Sequence, residues 1–269
     1  MNNNNLSLRG EELASNPARA DMDLFFEAYH NLYCPEKNPD GAFPLNVAEN
    51  HLMAGIIKKG LTGIVSSRTL PDWVLNYTDT LGHPEVRETM AFFMEKYLCK
   101  CPIDPDSIGF SAGASGIIET SSFVLANRGD VAVIPAPSYP MYTKDMGIKS
   151  GIERYDLQTH FHIEELGSAA PVTVPMLEEA KKELELKGKN FRILLITSPD
   201  NPTGCMFSEA QLRELAEWCI KNEVHMIVNE IYAISLVDTT DSLISMDYKE
   251  QDYMVSKVDP IRLLSNHPT

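Results

Sequence analysis

Two polar segments follow two apolar runs, and their side chains could hold a flat ligand that carries an oxygen and a ring nitrogen. Residues 198–204 read Ser-Pro-Asp-Asn-Pro-Thr-Gly after the apolar run 193–196, and residues 229–232 read Asn-Glu-Ile-Tyr after the run 225–228. The Pro and Gly that follow Asn201 favour a turn, which fixes its amide at a strand end. This amide and the Tyr232 hydroxyl can bind one phenolate oxygen, and Asn229 would face a ring nitrogen. Polar loops at neighbouring strand ends are where an α/β sheet holds a ligand.

Two further segments could complete such a site. Residues 111–116, Ser-Ala-Gly-Ala-Ser-Gly, lie between a predicted strand and a predicted helix, where free N–H groups and the helix dipole attract a phosphate. Gly113 permits a close approach there, and Ser115 can donate its hydroxyl. Tyr139 follows another strand and could stack on a heteroaromatic ring. Taken singly, the first segment is better explained as a tight connection, and Tyr139 is better explained by ordinary aromatic packing.

The apolar pattern predicts the elements that must position these residues. A capping box, Ser208 with Gln211, opens one of the predicted helices. Strands separated by helices predict an α/β fold with a mostly parallel, doubly wound sheet and helices on both faces. The apolar residues of 156–173 follow neither a helix period nor a strand period, so we predict an exposed, irregular excursion of the chain there. The predicted strands are 108–111, 131–134, 151–155, 193–197 and 225–228, and the predicted helices lie near 21–31 and at 84–97, 115–126, 142–146, 175–187 and 208–222.

Composition excludes several classes of protein. The chain has 269 residues, 43% of them hydrophobic, and a net charge of -15, which argues against nucleic-acid and anionic-membrane partners. Its five scattered cysteines indicate a reducing compartment. The pairs Cys99/Cys101 and His160/His162 lack a second pair at finger spacing, so we predict no metal site. The polar start and the lack of a long apolar run predict a soluble, cytoplasmic protein without a signal peptide.

In this order, the four segments resemble those of the pyridoxal-phosphate (PLP) aminotransferases of class I/II, which have fold type I. The resemblance covers roughly residues 40–250. It implies a PLP-transferase large domain at 46–269 after an N-terminal arm at 1–45, with the C-terminal small domain absent. It also implies an amino-acid substrate and a homodimer. The implied cofactor-binding residues are Gly113, Ala114 and Ser115 at the phosphate, Tyr139 on the pyridine ring, Asn201 and Tyr232 at the phenolic oxygen, and Asn229 at the ring nitrogen.

Residues 38–50 and 76–87 narrow the resemblance to 1-aminocyclopropane-1-carboxylate synthases and their animal and fungal relatives. By this resemblance Ala48 and Glu49 lie by the substrate, although a surface carboxylate at a helix entry also explains Glu49. In that family a Tyr reaches from this stretch into the partner's active site. Here the position is Thr80, which offers no ring of matching reach, and Tyr77 lies three residues away.

Two departures from the family bear on catalysis. The family has Asp where this chain has Asn229, and that carboxylate keeps the pyridine nitrogen protonated. A unit-charge pair about 4 Å apart contributes roughly 4 kcal/mol at an intermediate dielectric, so its loss would slow carbanion chemistry. Lys257 is the candidate for the lysine that anchors the cofactor, because it follows an apolar run and a Ser. Its spacing is short and no Gly follows, so a solvated lysine is the other interpretation.

These observations lead to two hypotheses. The chain is a PLP-binding, aminotransferase-like protein that acts on amino acids by transamination or synthase-type chemistry, with impaired activity. Alternatively, it is a catalytically inactive PLP-fold protein, or a gene fragment, that acts through binding or dimerisation.

Overall fold

The structure, a computed structural model, describes residues 6–15, 21–99, 101–159 and 172–235. Contacts within the chain separate two units, Met1–Tyr77 and Thr78–Thr269. The division into an arm at 1–45 and a large domain at 46–269 stays a prediction.

The first unit is built from short helices. Helix α1 spans Leu8–Ser15, α2 spans Asp21–Tyr29 and α3 spans Ala54–Ser67, with short 3-10 segments at His51–Met53 and Asp72–Leu75. Helix α2 agrees with the helix predicted near residues 21–31, whereas α1 and α3 were not predicted. Helix α3 buries none of its residues within the described chain.

The second unit holds a four-stranded sheet in which every pair is parallel. Its strands are β1 (Val131–Ala136), β2 (Glu153–Gln158), β3 (Phe191–Thr197) and β4 (His225–Asn229), in the order β2-β1-β3-β4. This sheet confirms the predicted α/β class. The strand predicted at 151–155 begins two residues later, because Gly151 takes a left-handed conformation (φ 72°) that ends the preceding helix.

Among the residues that the structure describes, five helices accompany the sheet. They are α4 (Pro84–Met94), α5 (Gly113–Leu125), α6 (Tyr142–Ser150), α7 (Val174–Leu186) and α8 (Glu209–Lys221), and α4 continues as a π-helical turn at Glu95–Cys99. The predicted capping box opens α8, with both of its hydrogen bonds formed between Ser208 and Gln211. Helix α6 runs to Ser150, beyond the predicted end at residue 146. None of the helices in the described ranges has the length and apolar content needed to span a bilayer.

The strand predicted at residues 108–111 is wrong. A 3-10 turn at Pro105–Ser107 precedes these residues, and in the described chain they pair with no strand. The backbone N–H of Phe110 instead donates to the carbonyl of Leu81, over 3.1 Å. A strand needs a ladder of such bonds with a neighbour, and an apolar run alone does not supply that partner.

The sheet has an apolar layer on each face, because successive side chains of a strand point to opposite sides. On β3, Leu194 and Ile196 belong to the cluster that contains α7 and α8, whereas Ile193 and Leu195 belong to the cluster that contains α5 and α6. All four residues are fully buried. The helices contribute Leu177, Leu184, Leu212 and Leu215 to the first cluster and Ile118, Tyr142 and Met146 to the second.

We expect Leu194→Ala to lower the free energy of unfolding by about 3 kcal/mol, because it removes buried methyl groups and leaves a cavity between the sheet and α7 and α8. The matched control is Leu186→Ala, since Leu186 is 83% exposed, and its effect should stay within about 0.5 kcal/mol. Urea unfolding of both variants checks this, and equal losses would contradict the assignment of Leu194 to the core.

Candidate functional site

The carboxyl ends of β3 and β4 bring the two polar segments together. Thr197 and Asn229 are paired in the sheet register, and the backbone N–H of Ser198 donates to the Asn229 carbonyl over 3.0 Å. Beyond these ends the Asn201 amide, through Nδ2, donates to the Tyr232 hydroxyl over 3.0 Å. Two side chains 31 positions apart therefore present their polar groups at one point.

The turn that carries Asn201 is held by its neighbour Asp200. One oxygen of the Asp200 carboxylate accepts from the Thr203 hydroxyl at 2.6 Å and from its backbone N–H at 3.3 Å. The backbone N–H of Gly204, whose φ is 71°, donates to the Asp200 carbonyl. Burial raises the pKa of Asp200. The predicted turn thus exists, and a half-buried carboxyl group closes it.

The Asn229 amide is bound to the phenol of Tyr142, which in turn is bound to the hydroxyl of Thr197, and the sequence singled out neither partner. Its Nδ2 donates to the Tyr142 hydroxyl over 2.7 Å, and that hydroxyl lies 2.6 Å from Oγ1 of Thr197. Tyr142 is 1% exposed and Thr197 is 4% exposed. Burial raises the pKa of Tyr142, so its hydroxyl keeps its proton. These three side chains form a neutral, hydrogen-bonded row across β3, β4 and α6.

The same phenol orients Tyr139. The rings of Tyr139 and Tyr142 meet edge to face, with centroids 5.4 Å apart and an interplanar angle of 80°. Edge-to-face contact is a favourable arrangement of aromatic rings. Tyr139 is half-buried, so part of its surface stays accessible. A rigid, partly accessible ring therefore lies beside the row formed by Asn229, Tyr142 and Thr197.

Arg154 on β2 clamps the loop that carries Tyr139. Its guanidinium donates to the Ser138 hydroxyl at 2.7 Å and to the Tyr139 carbonyl at 3.4 Å. Asp156, two residues along the same strand, accepts from Arg154 Nε at 2.7 Å and orients the guanidinium. Sequence reasoning missed Arg154, because no local pattern links it to a loop 15 residues earlier.

The segment around Ser115 reaches α6, the helix that carries Tyr142. Gly113 begins α5 with a φ of 75°, which favours glycine, and no atom lies within 4 Å of the position a Cβ would take. Ser115 is exposed and donates to the Asp145 carboxylate over 3.1 Å. Burial raises the pKa of Asp145. The first turn of α5, with Gly113, Ala114 and Ser115, therefore opens onto free space next to α6.

The substrate residues predicted in the first unit are exposed to solvent. Ala48 and Glu49 are both exposed, and the Glu49 carboxylate lies 3.0 Å from Nε2 of His51. Asn50, the next residue, accepts a hydrogen bond from the backbone of Met53 and caps the 3-10 turn. The role of Ala48 and Glu49 at a substrate stays a prediction.

Thr80 lies in a loop that Arg87 holds in place. Arg87 is 5% exposed, and its guanidinium donates to the Gly82 carbonyl and to the carboxylates of Asp79 and Asp106. Thr80 itself is exposed. Arg87 therefore sets the course of the loop and leaves the Thr80 side chain in solvent.

Three predictions concern residues outside the described ranges. These are Lys257, the candidate anchoring lysine, the pair His160 and His162, and residues 160–171 of the predicted excursion. Among the residues that the structure does describe, no three His, Cys, Asp or Glu side chains form a group that could hold a metal ion.

Most of this chain is similar to proteins of one known family. The family model described as Aminotransferase class I and II matches residues 58–257. The 1-aminocyclopropane-1-carboxylate synthase 6 of Arabidopsis thaliana is 30% identical over 234 residues, which cover 82% of this chain and 46% of that protein. A Mus musculus protein named "Probable inactive 1-aminocyclopropane-1-carboxylate synthase-like protein 2" is 29% identical over 217 residues, covering 79% of this chain and 37% of that protein. The matched region spans less than half the length of either relative.

A solved structure shares the fold. The crystal structure of an archaeal alanine:glyoxylate aminotransferase matches 83% of this chain and 51% of that chain, with a TM-score of 0.64 and 22% sequence identity. This likeness supports the α/β architecture described above and carries no argument about substrate.

We expect Arg154→Lys to loosen the loop around Tyr139, because a lysine cannot bind the Ser138 hydroxyl and the Asp156 carboxylate with one planar fork. Amide hydrogen exchange at residues 138–142 should become roughly tenfold faster, as expected for the loss of about 1.4 kcal/mol of hydrogen bonding. Arg213→Lys is the control, since Arg213 pairs with Glu209 on the exposed surface of α8. Unchanged exchange in Arg154→Lys would show that the clamp does not hold this loop.

Proposed function

This chain belongs to the class I and II aminotransferase family, and from that premise we propose that its second unit binds PLP at the carboxyl edge of the sheet. The 3.0 Å contact between Asn201 Nδ2 and the Tyr232 hydroxyl carries the proposal. Groups this close can both bind one phenolic oxygen. The contact joins the two segments that resemble the family most specifically.

The surrounding residues fit the other parts of the cofactor. Tyr139 offers a partly accessible ring face to a pyridine, and its edge-to-face contact with Tyr142 holds that face in place. Gly113, Ala114 and Ser115 form the first turn of α5, where N–H groups and the helix dipole favour a phosphate. To bind that phosphate, the Ser115 hydroxyl would turn from Asp145.

We further propose that the substrate is an amino acid and that the reaction is impaired. Bound PLP supplies an electron sink for the α-carbon of an amino acid, and a protonated ring nitrogen strengthens it. Asn229 is neutral and is already bound to Tyr142, so it offers no charge to hold that proton. Ala48 and Glu49 would contact the substrate by family resemblance. Thr80 leaves out the aromatic group that the synthases place near the substrate.

The second candidate is an inactive PLP-fold protein that acts by binding or as a homodimer. The neutral row of Asn229, Tyr142 and Thr197 favours it, because none of these side chains carries a charge that could hold a proton on the ring nitrogen. The name of the Mus musculus relative, which calls that protein probably inactive, points the same way. In either case the family resemblance suggests a homodimer. The acidic composition argues against nucleic-acid and membrane partners, and the scattered cysteines suggest a reducing, cytoplasmic compartment.

We expect Tyr232→Phe to weaken PLP binding by about tenfold to a hundredfold, because it removes one hydrogen bond to a charged oxygen and keeps the ring. Titration of the purified chain with PLP, followed by absorbance, measures the dissociation constant. Tyr77→Phe is the matched control, since Tyr77 is fully exposed in the first unit, and its binding should equal the wild type. Undiminished binding by Tyr232→Phe would refute the assigned site.

Borohydride reduction of the PLP-loaded chain separates the two candidates. If the chain retains a cofactor-anchoring lysine, mass spectrometry should locate the reduced adduct at Lys257, and Lys257→Ala should lose the adduct and keep non-covalent binding. Binding without any adduct in the wild type would favour the inactive protein.

A further inference from the structure

The hydrogen bonds of Asn229 determine which way its side-chain amide faces. The backbone N–H of Ile231 donates to Asn229 Oδ1 over 3.1 Å, and Nδ2 donates to the Tyr142 hydroxyl over 2.7 Å. A backbone N–H can only donate. Rotating the amide by half a turn would set Nδ2 against that N–H and would lose the bond. The oxygen therefore faces Ile231, and the nitrogen faces Tyr142.

The same logic fixes the direction of the bond between Asn229 and Tyr142, in which the phenol accepts. The Tyr142 oxygen also lies 2.6 Å from Oγ1 of Thr197, and either of these two hydroxyl groups can donate in that bond. Tyr142 and Thr197 are both buried, so water does not compete for these bonds. Burial also raises the pKa of Tyr142, so its hydroxyl keeps its proton. Donation runs from Asn229 to Tyr142, and a second hydrogen bond joins Tyr142 to Thr197.

We propose that Asn229 presents an N–H group to the pyridine nitrogen of PLP and thereby holds that nitrogen in its unprotonated form. An amide nitrogen carries two N–H groups, and Tyr142 takes one of them. An unprotonated ring nitrogen is an acceptor and matches the second N–H. A protonated ring nitrogen is a donor and meets no negative charge at residue 229. The inference rests on the proposed function and adds the protonation state of the cofactor.

Two carboxyl groups near Asn229 would favour a proton on the ring nitrogen, and so they oppose the effect of the amide. Asp200 lies on the turn after β3, and Glu230 follows Asn229 directly; both are carboxyl groups, and desolvation raises the pKa of each, that of Glu230 to about 7. The residue Glu230 as a whole is exposed, so water screens its charge. Tyr142 and Tyr232 are further titratable groups there; Tyr142 is bound to Asn229, and the Tyr232 hydroxyl is bound to Asn201. Below pH 7 Glu230 is mostly neutral and does little to favour a proton on the ring nitrogen. Above pH 7 Glu230 is charged, but protons are then scarce.

The site would therefore bind the cofactor, but the unprotonated ring would withdraw electrons from a substrate only weakly. The stacking ring and the donors at Asn201, Tyr232 and α5 do not depend on the ring nitrogen, so binding is retained. Reactions that require a strongly stabilised carbanion are disfavoured.

Nitrogen NMR of the chain loaded with ring-¹⁵N-labelled PLP tests the proposal, because the shift of the ring nitrogen distinguishes its two protonation states. Between pH 6 and 9 the wild type should give the unprotonated shift throughout. Asn229→Asp should raise the pH midpoint of the ring nitrogen by about 3, as expected for a unit-charge pair about 4 Å apart at an intermediate dielectric. Asn76→Asp, an exposed amide in the first unit, is the control and should behave as the wild type.

A second measurement needs no cofactor. In the unloaded chain, Tyr142→Phe keeps the aromatic ring and removes the acceptor of the Asn229 amide, so the ¹⁵N–¹H signals of that amide should move and exchange faster with water. Unmoved signals would overturn the proposed orientation of the amide. A protonated ring nitrogen in the loaded wild type would overturn this inference alone, whereas a chain that binds no PLP would overturn the proposed function with it.

Discussion

The parallel pairing of β3 with β4 is the constraint on which the site depends. Their register sets Thr197 opposite Asn229, so the chain leaves both strands at the same edge and the two following loops must meet. Backbone pairing of this kind fixes relative position to within a fraction of a residue, since a slip by one residue would turn every side chain to the other face. The Asn201–Tyr232 contact and the hydrogen bonds of Asn229 both start from this edge.

The apolar packing of the sheet keeps that register. Leu194 and Leu195 are neighbours on β3, yet they belong to clusters on opposite faces. If β3 shifted by one residue, Leu194 and Leu195 would exchange faces. Each would then pack against helices whose side chains fit the other. Tyr142 joins packing to chemistry, because it fills the cluster of α5 and α6 with its ring and binds Asn229 with its hydroxyl. The site is therefore anchored in the core and not only in its loops.

Local signals predicted much of this architecture, and long-range contacts escaped prediction. The capping box at Ser208 and the glycine turn after Asn201 are written in four or five adjacent residues, and both are present. The strand at 108–111 failed because pairing is a property of two segments, and the sequence of one does not supply the other. The Tyr142–Thr197 and Arg154–Ser138 contacts join residues 55 and 16 positions apart. Neither pair has a spacing that a strand or helix period would reveal.

The identity of a single atom at residue 229 sets the direction of its bond to Tyr142. With an amide nitrogen facing Tyr142, the phenol accepts there and keeps a second hydrogen bond with Thr197. A carboxylate oxygen in that place could only accept, so the phenol would have to donate to it and accept from the Thr197 hydroxyl. Each hydroxyl can reverse its role by rotating its proton, at little steric cost. The charge would be the larger change, because a half-buried carboxylate must recover part of its lost hydration from a few partners. The neutral amide avoids that cost, and it does so by giving up the charge that would hold a proton on a bound ring.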